Sequence, residues 1–195
     1  MGVVSRRVTL GKRLTLLRAF PSLTGMATAT VAAIVLCSES ETHVRRAALA
    51  ALASLCRPVV IAAHCDHARN ELRGLPVEIV VGSVAPALEA ALKSAPHLDA
   101  VVLLRCEQTF VTAGSIRRLL AAFQHGRVPI AAAASGKSVG LPAIFAKSLF
   151  AKLIGLRADE DPGPVVRENP DQVIPVQMPE AASEGKVSRE YAELK

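Results

Sequence analysis

Ala100-Val101-Val102-Leu103-Leu104 is an unbroken apolar run, followed by Ala, Ile and Leu at helical spacing over residues 113–123 and by a second run, Val128-Pro129-Ile130-Ala131-Ala132. A strand without polar alternation is one buried on both faces, and a helix joining two such strands is the crossover unit of a parallel sheet. The alternation extends upstream. Residues 31–36, 58–62 and 77–81 are strand-like, and helical patterns occupy residues 42–55, a short polar stretch ending at Leu72, and residues 86–93. This order predicts one three-layer, doubly wound α/β domain with a largely parallel sheet. Sheets of that kind hold ligands beyond the carboxyl ends of their strands. The loops of interest therefore begin at Cys37, Ala63, Gly82, Arg105 and Ala133.

Beyond Ser135 the pattern changes. Gly140-Leu141-Pro142-Ala143-Ile144-Phe145 reads as an extended piece, residues 148–154 as a helix, residues 158–163 as an acidic loop leading to a helical turn, and residues 173–177 as a late strand. Residues 188–194 read as a closing helix with Ser188 as N-cap. No internal repeat is visible.

Composition removes several function classes. The chain has 195 residues, 51% of them apolar and 21% charged, which excludes wholesale disorder and allows a core without disulfide or metal staples. Apolar runs are short, and none approaches the ~20 residues of a membrane-spanning helix. Aromatic residues make up 3%, with no Trp and Tyr191 the single Tyr, so a stacking platform for single-stranded nucleic acid is not expected. The net charge of +6 is local: Arg6, Arg7, Lys12, Arg13 and Arg18 all precede the first acid, Glu39, and without them 18 basic residues face 17 acidic ones. The body is electrically balanced and offers no argument for a nucleic-acid groove.

Residues 1–30 read as a basic leader and residues 31–195 as the domain. The leader is rich in Ser and Thr and free of acids, which suits a transit peptide. Ser5-Arg6-Arg7 also suggests a twin-arginine signal, although Arg13 and Arg18 interrupt the apolar region such a signal needs. An upstream extension with Met26 as the start is the third reading. The four cysteines lack paired spacing, which predicts a reducing compartment and a cytoplasmic protein.

Several segments together resemble the molybdenum cofactor cytidylyltransferase and guanylyltransferase family. Leu103-Leu104-Arg105-Cys106-Glu107-Gln108-Thr109-Phe110-Val111-Thr112 is similar to that family's Leu-Cys-Asp-Gln-Pro-Phe-Val-Thr segment, and Gly140-Leu141-Pro142-Ala143-Ile144-Phe145 to its Gly-x-Pro-Ala-Leu-Phe. Asp161-Pro162-Gly163 stands where the family has Gly-Asp-x-Gly-Ala-Arg, whose Arg falls on Val165. Arg189-Glu190-Tyr191 resembles the end of Asp-Ile-Asp-Thr-Pro-Glu-Asp-Tyr. The resemblance implies a fold of the nucleotide-diphospho-sugar-transferase type. It also implies transfer of a nucleotidyl group from a nucleoside triphosphate to a pterin cofactor, with Mg²⁺ held by carboxylates. Carried over residue by residue, it makes Glu107 the catalytic metal ligand, with Glu184 as the remaining candidate for the second carboxylate. Ser38, Ser40 and Gln108 become nucleotide contacts, and Gly140, Pro142, Asp161 and Gly163 become substrate-side positions.

The departures bear on activity. The family closes a Gly-rich, Lys-bearing loop on the phosphates after its first strand. Here Leu36-Cys37-Ser38-Glu39-Ser40-Glu41-Thr42-His43 has neither Gly nor Lys, and two glutamates stand where a triphosphate would dock. At ~4 Å and an effective dielectric of 20, each like-charge contact costs on the order of 4 kcal/mol before screening. Two function classes therefore stand: a nucleotidyltransferase of impaired activity, or a non-catalytic relative acting as a binding or accessory protein toward a molybdoenzyme or chaperone partner.

Other constellations have plainer readings. His64-Cys65-Asp66-His67 holds four ligand types and would meet Cys37 and Cys106 at one sheet edge, but without metal-site spacing it reads as a polar loop opening a helix. Cys56 reads as a buried small hydrophobe. Ser135-Gly136-Lys137-Ser138 echoes the end of a phosphate-binding loop, yet Ala131 stands where that loop needs glycine, so Lys137 reads as a turn residue; in the resembling family this stretch borders the pterin side. Asp159-Glu160-Asp161 reads as a solvated acidic loop that could take a divalent cation.

Overall fold

A computed structural model describes residues 29–37, 43–63, 67–158 and 160–178. The leader through residue 28, Ser38, Ser40, residues 64–66, Asp159, Glu184 and the helix expected at residues 188–194 lie outside the described residues.

The apolar runs form strands because nothing in them resists burial on either side. β1 (Val31–Leu36), β2 (Val59–Ala63), β4 (Ala100–Arg105) and β5 (Ile130–Ser135) are buried over almost their whole length. β3 (Glu78–Val81) and β7 (Val173–Gln177) are the edges of a seven-stranded sheet, and β6 (Ser138–Ala146) lies inside it. The order is β3-β2-β1-β4-β6-β5-β7. β6 alone is antiparallel to its neighbours, so the sheet is largely parallel, as expected. Pro175 sits in edge strand β7, where a missing N–H can be tolerated.

β1, β2 and β3 step outward in sequence, and the chain then returns to place β4 on the other side of β1. Right-handed crossovers put the helices of the two halves on opposite faces. α1 (Val44–Ala53), α2 (His67–Glu71) and α4 (Ala113–His125) cover one face, packing on Val35, Ile61, Val102 and Leu104. α3 (Val84–Ser94), α5 (Phe150–Ile154) and α6 (Gly163–Arg167) cover the other, against Ile34, Val60, Leu103 and Phe145. α1 presents Ala47, Ala48 and Ala51, whose small side chains let it lie close to the sheet without forfeiting helix propensity. Among the described residues no helix is long and apolar enough to cross a membrane.

Most boundaries differ from the sequence reading by one or two residues, and three differences have a local cause or consequence. α3 begins two residues before Pro86, because proline is tolerated in the first helical turn, where its missing N–H has no intrahelical partner. Residues 147–149 form a 3-10 turn before α5. β5 continues through Ala133 to Ser135, so no ligand loop opens at Ala133. Ser135 pairs with Ser138 across a two-residue hairpin, and φ is positive only at Gly136, the pattern of a type II′ turn. The phosphate-loop echo is thus a hairpin tip, and Lys137 is the turn residue expected.

α4 has the best-defined start. Thr112 Oγ1 accepts from the Ser115 backbone N–H (3.2 Å), and Ser115 Oγ accepts from the Thr112 N–H (2.7 Å), a reciprocal capping box. Thr112→Ala should cost about 1 kcal/mol, the usual value of a lost N-cap. In a chain of this size that is a fall of roughly 2–4 °C in melting temperature, read by a thermal scan.

Candidate functional site

The reversal of strand order between β1 and β4 leaves a crevice at their carboxyl ends, the place where open α/β sheets bind ligands. Leu36 of β1 lies in register with Arg105 of β4, and the Cys106 N–H donates to the Leu36 carbonyl (2.9 Å). A cleft of about 280 Å³ opens there. One wall is Leu36, Cys37 and Ala62 with Gly82, Ser83 and Val84; the other is Arg105 and Glu107 with Glu160, Asp161 and Pro162. Ser83 and Val84 bring the amino end of α3, the positive end of its dipole, to the rim. Gly82 is required at this turn: its φ is +123°, and an added Cβ would stand 3.1 Å from Pro86 Cγ.

Arg105 turns its guanidinium onto Asp161 beside it, Nη2 lying 2.8 Å from Asp161 Oδ1. The Asp161 carboxylate also accepts from the Gly163 backbone N–H (3.0 Å). Partial burial pushes the Asp161 carboxyl upward. The Gly163 N–H, the hydrogen bond and charge of Arg105, and the charge of Arg167 outweigh it and hold the group below its ordinary value. The stabilisation from this pairing is therefore complete above the ordinary carboxylate range and is lost as pH falls through the depressed value. Gly163 sits close against this pair: a Cβ there would lie 2.9 Å from both Asp161 Oδ2 and Arg167 Nη1, so those side-chain ends would have to shift.

Gln108 clasps the loop after β4. Its Oε1 accepts from the Arg105 N–H (3.1 Å), and its Nε2 donates to the Leu141 carbonyl of β6 (2.8 Å). At that point the β5–β6 register shifts: Ala132 faces Ala143 and Ala133 faces Gly140, so Leu141 and Pro142 bulge from the ladder. The Gln108 amide thus joins Gly140 and Pro142 to the β4 terminus, although neither is among the described residues lining the cleft. Val165 is buried against the α3 face of the sheet, and Arg167, two positions later, turns its charge toward Asp161.

The structure thus brings Glu107, Asp161 and, through Asp161, Gly163 to one cleft, with Gln108 bracing the loop that carries Glu107. A divalent cation fits the lining: Glu107 and Glu160 are hard oxygen donors, while Asp161 is taken up by Arg105 and the Gly163 N–H. Mg²⁺ is commonly held by one or two carboxylates, with substrate phosphates and water completing the shell. Among the described residues no cluster of three or more metal-ligating side chains forms, so no all-protein cage is present there. Cys37 and Cys106 are both buried. Burial pushes the Cys56 thiol up, although the Ser54 hydroxyl (3.3 Å) and the Arg57 charge act the other way, in keeping with a packing role.

Sequence reasoning gave no role to Arg105 or Arg167, and named Glu160 only within an acidic loop that could take a divalent cation. The available signal was Arg105 itself, a single charge ending an otherwise apolar strand at the point where strand order reverses. A second pocket, of about 540 Å³, lies on the other side of Arg167 and is lined by Lys137, Val139, Val166 and Val173 among others.

The family model described as "MobA-like NTP transferase domain" matches residues 34–173. No curated protein matches the chain in sequence. Among solved structures, Rv0371c from Mycobacterium tuberculosis H37Rv is similar at 19% identity and a TM-score of 0.63, over 78% of this chain and 90% of that one. A manganese complex of Rv0371c gives 19% and 0.64 over 77% and 89%. The 4-diphosphocytidyl-2C-methyl-D-erythritol synthase of Anaerococcus prevotii DSM 20548 is 13% identical, with a TM-score of 0.57 over 77% and 89%. These structures share the fold.

Proposed function

Because the chain belongs to the family of MobA-like NTP transferase domains, we propose that it transfers a nucleotidyl group from a nucleoside triphosphate to a molybdopterin-type acceptor, slowly and with weak hold on the triphosphate. The observation that carries this reading is the cleft at the β1–β4 reversal, where Glu107, Arg105 and Asp161 meet. In the reaction an acceptor phosphate oxygen attacks the α-phosphorus. A new P–O bond forms, the α–β bridging P–O bond breaks, and pyrophosphate leaves with the bonding electrons; a proton carried by the acceptor oxygen passes to solvent. Glu107, with Glu184 as second carboxylate, would hold a divalent cation, which when bound would supply charge neutralisation along the phosphate chain.

The remaining roles follow from position. Gln108 spends its amide on the Arg105 N–H and the Leu141 carbonyl, and serves the nucleotide by holding the β4 loop that carries Glu107. Ser38 and Ser40 offer hydroxyls from the first loop. Gly140, Pro142, Asp161 and Gly163 form the acceptor side, where the pocket beyond Arg167 offers Lys137 and Arg167 to an anionic group above apolar walls. No step requires a membrane or a nucleic acid, and the cytoplasm supplies the substrates.

Glu39 and Glu41 weaken the site. CTP or GTP with Mg²⁺ should bind with a dissociation constant no tighter than about 1 mM, or about −4 kcal/mol. Isothermal titration measures this, and low-micromolar binding would remove the proposed impairment. The same glutamates favour a second reading, a non-catalytic accessory protein in cofactor handling. Pyrophosphate release assayed with CTP, GTP and a molybdopterin acceptor separates the two: sustained release selects the transferase, and its absence alongside pterin binding selects the accessory role.

A further inference from the structure

We propose that Arg105 is the residue that grips the triphosphate, supplying from the end of β4 the positive charge that the loop after β1 does not carry. The inference rests on the nucleotidyl-transfer reading and names the cation on which that reading depends. A triphosphate brings about four negative charges, and a protein holds it with backbone N–H groups, cations, or both. Residues 38–42, Ser-Glu-Ser-Glu-Thr, contribute two carboxylates and no cation. The arginines that follow are engaged elsewhere: Arg45 Nη1 donates to the Glu71 carbonyl (2.6 Å) and Arg46 Nη2 to the Val111 carbonyl (3.4 Å). Among the described residues lining the cleft, Arg105 is the one cation, facing Glu107, Glu160 and Asp161.

Its placement suits the role. Arg105 is in register with Leu36, one residue before the first loop begins to leave the sheet, so its guanidinium starts beside the mouth of that loop. The backbone is fixed by the Gln108 clasp and the tip by Asp161. The Arg105 side chain is 46% exposed and that of Asp161 43%, so both stand at a solvent-accessible surface of the cleft, open to an incoming anion. A guanidinium has five N–H donors in a rigid fork matched to phosphate oxygens, and the contact with Asp161 Oδ1 uses one nitrogen. Asp161 thus orients the fork and at the same time offsets its charge.

The test is titration of the full-length chain with inorganic tripolyphosphate and Mg²⁺, followed by ³¹P NMR, with CTP and GTP in parallel. Arg105→Ala should weaken tripolyphosphate binding by tenfold or more, the usual scale for a charge-assisted hydrogen bond, and Arg105→Lys should lose only about threefold. Asp161→Asn keeps an acceptor oxygen but removes its charge, so it should tighten binding at least twofold. These opposite signs exclude a merely structural ion pair, whose two halves would weaken binding together. CTP and GTP should follow the same order if the triphosphate is the nucleotide's.

Binding by Arg105→Ala within twofold of wild type overturns the assignment. So does an Asp161→Asn loss equal to that of Arg105→Ala, or no tripolyphosphate binding by the wild type at 20 mM. If the order holds but neither CTP nor GTP releases pyrophosphate with a pterin acceptor, the Arg105 assignment stands and the transferase reading falls. If transfer occurs and Arg105→Ala binds normally, the reverse holds.

Discussion

Replacing Glu107 with glutamine should lower any Mg²⁺-dependent nucleotidyl transfer by at least ~100-fold, about 2.7 kcal/mol of transition-state stabilisation. The substitution keeps the size and polarity of the side chain and removes its charge, so the loss falls on cation binding and not on packing. Glu107 follows directly from the β4 terminus and lines the cleft together with Arg105 and Asp161. Glu107→Asp keeps the charge and shortens the reach by one methylene, so it should be neutral or better. Pyrophosphate release at saturating Mg²⁺, with CTP or GTP and a molybdopterin acceptor, measures both. Undiminished turnover in Glu107→Gln would show that the cation is held elsewhere.

The largest expected change in stability comes from Phe145→Ala. Phe145 is completely buried in β6, in register with Val101 on one side and Ile130 on the other, and it packs in the layer that α3, α5 and α6 cover. Truncation removes the ring from a site hemmed in by two strands, and the expected cost is about 3–5 kcal/mol, from lost transfer energy and the cavity left behind. For a chain of this length the melting temperature should fall by roughly 6–20 °C. Leu55 is a control of similar chemistry: it is 81% exposed, and Leu55→Ala should stay within about 0.5 kcal/mol. Urea unfolding of both variants with unchanged slope gives the comparison. A Phe145→Ala loss below 1 kcal/mol would mean that β6 is not a central strand.

The Phe145 expectation depends on a strand whose place was hard to read. Gly140 to Phe145 is legible as an extended piece because its apolar residues and Pro142 carry a local signal. Its direction and position are not. β6 enters between β4 and β5 because a two-residue turn at Gly136-Lys137 sends the chain straight back along β5, and Phe145, Ile144 and Ala143 then find partners on both sides. No residue in the segment announces that pairing on its own.

The site divides in the same way. Glu107 is visible in sequence because it lies two residues beyond a recognisable strand, within a segment that resembles the family motif. The role of Arg105 is not, since its meaning depends on Asp161, which the chain delivers to its side only after β5, β6 and α5 have been laid down. Arg167 is likewise masked by Val165, the position the motif points to, which goes into the core while the charge two residues later faces Asp161.

By itself, then, the sequence determined the alternation of strands and helices, the parallel first half of the sheet and the edge at which ligands would meet it. Burial on both faces demands continuous apolar runs, and those runs are written locally. Tertiary structure alone decided that β6 would run antiparallel inside the sheet, that Gln108 would tie β4 to Leu141, and that Arg105 and Asp161 would pair in the cleft. Those outcomes depend on hydrogen bonds and charges between segments far apart along the chain. Their partners become neighbours only when the crossovers close, so no local pattern of residue types can encode which pairs with which.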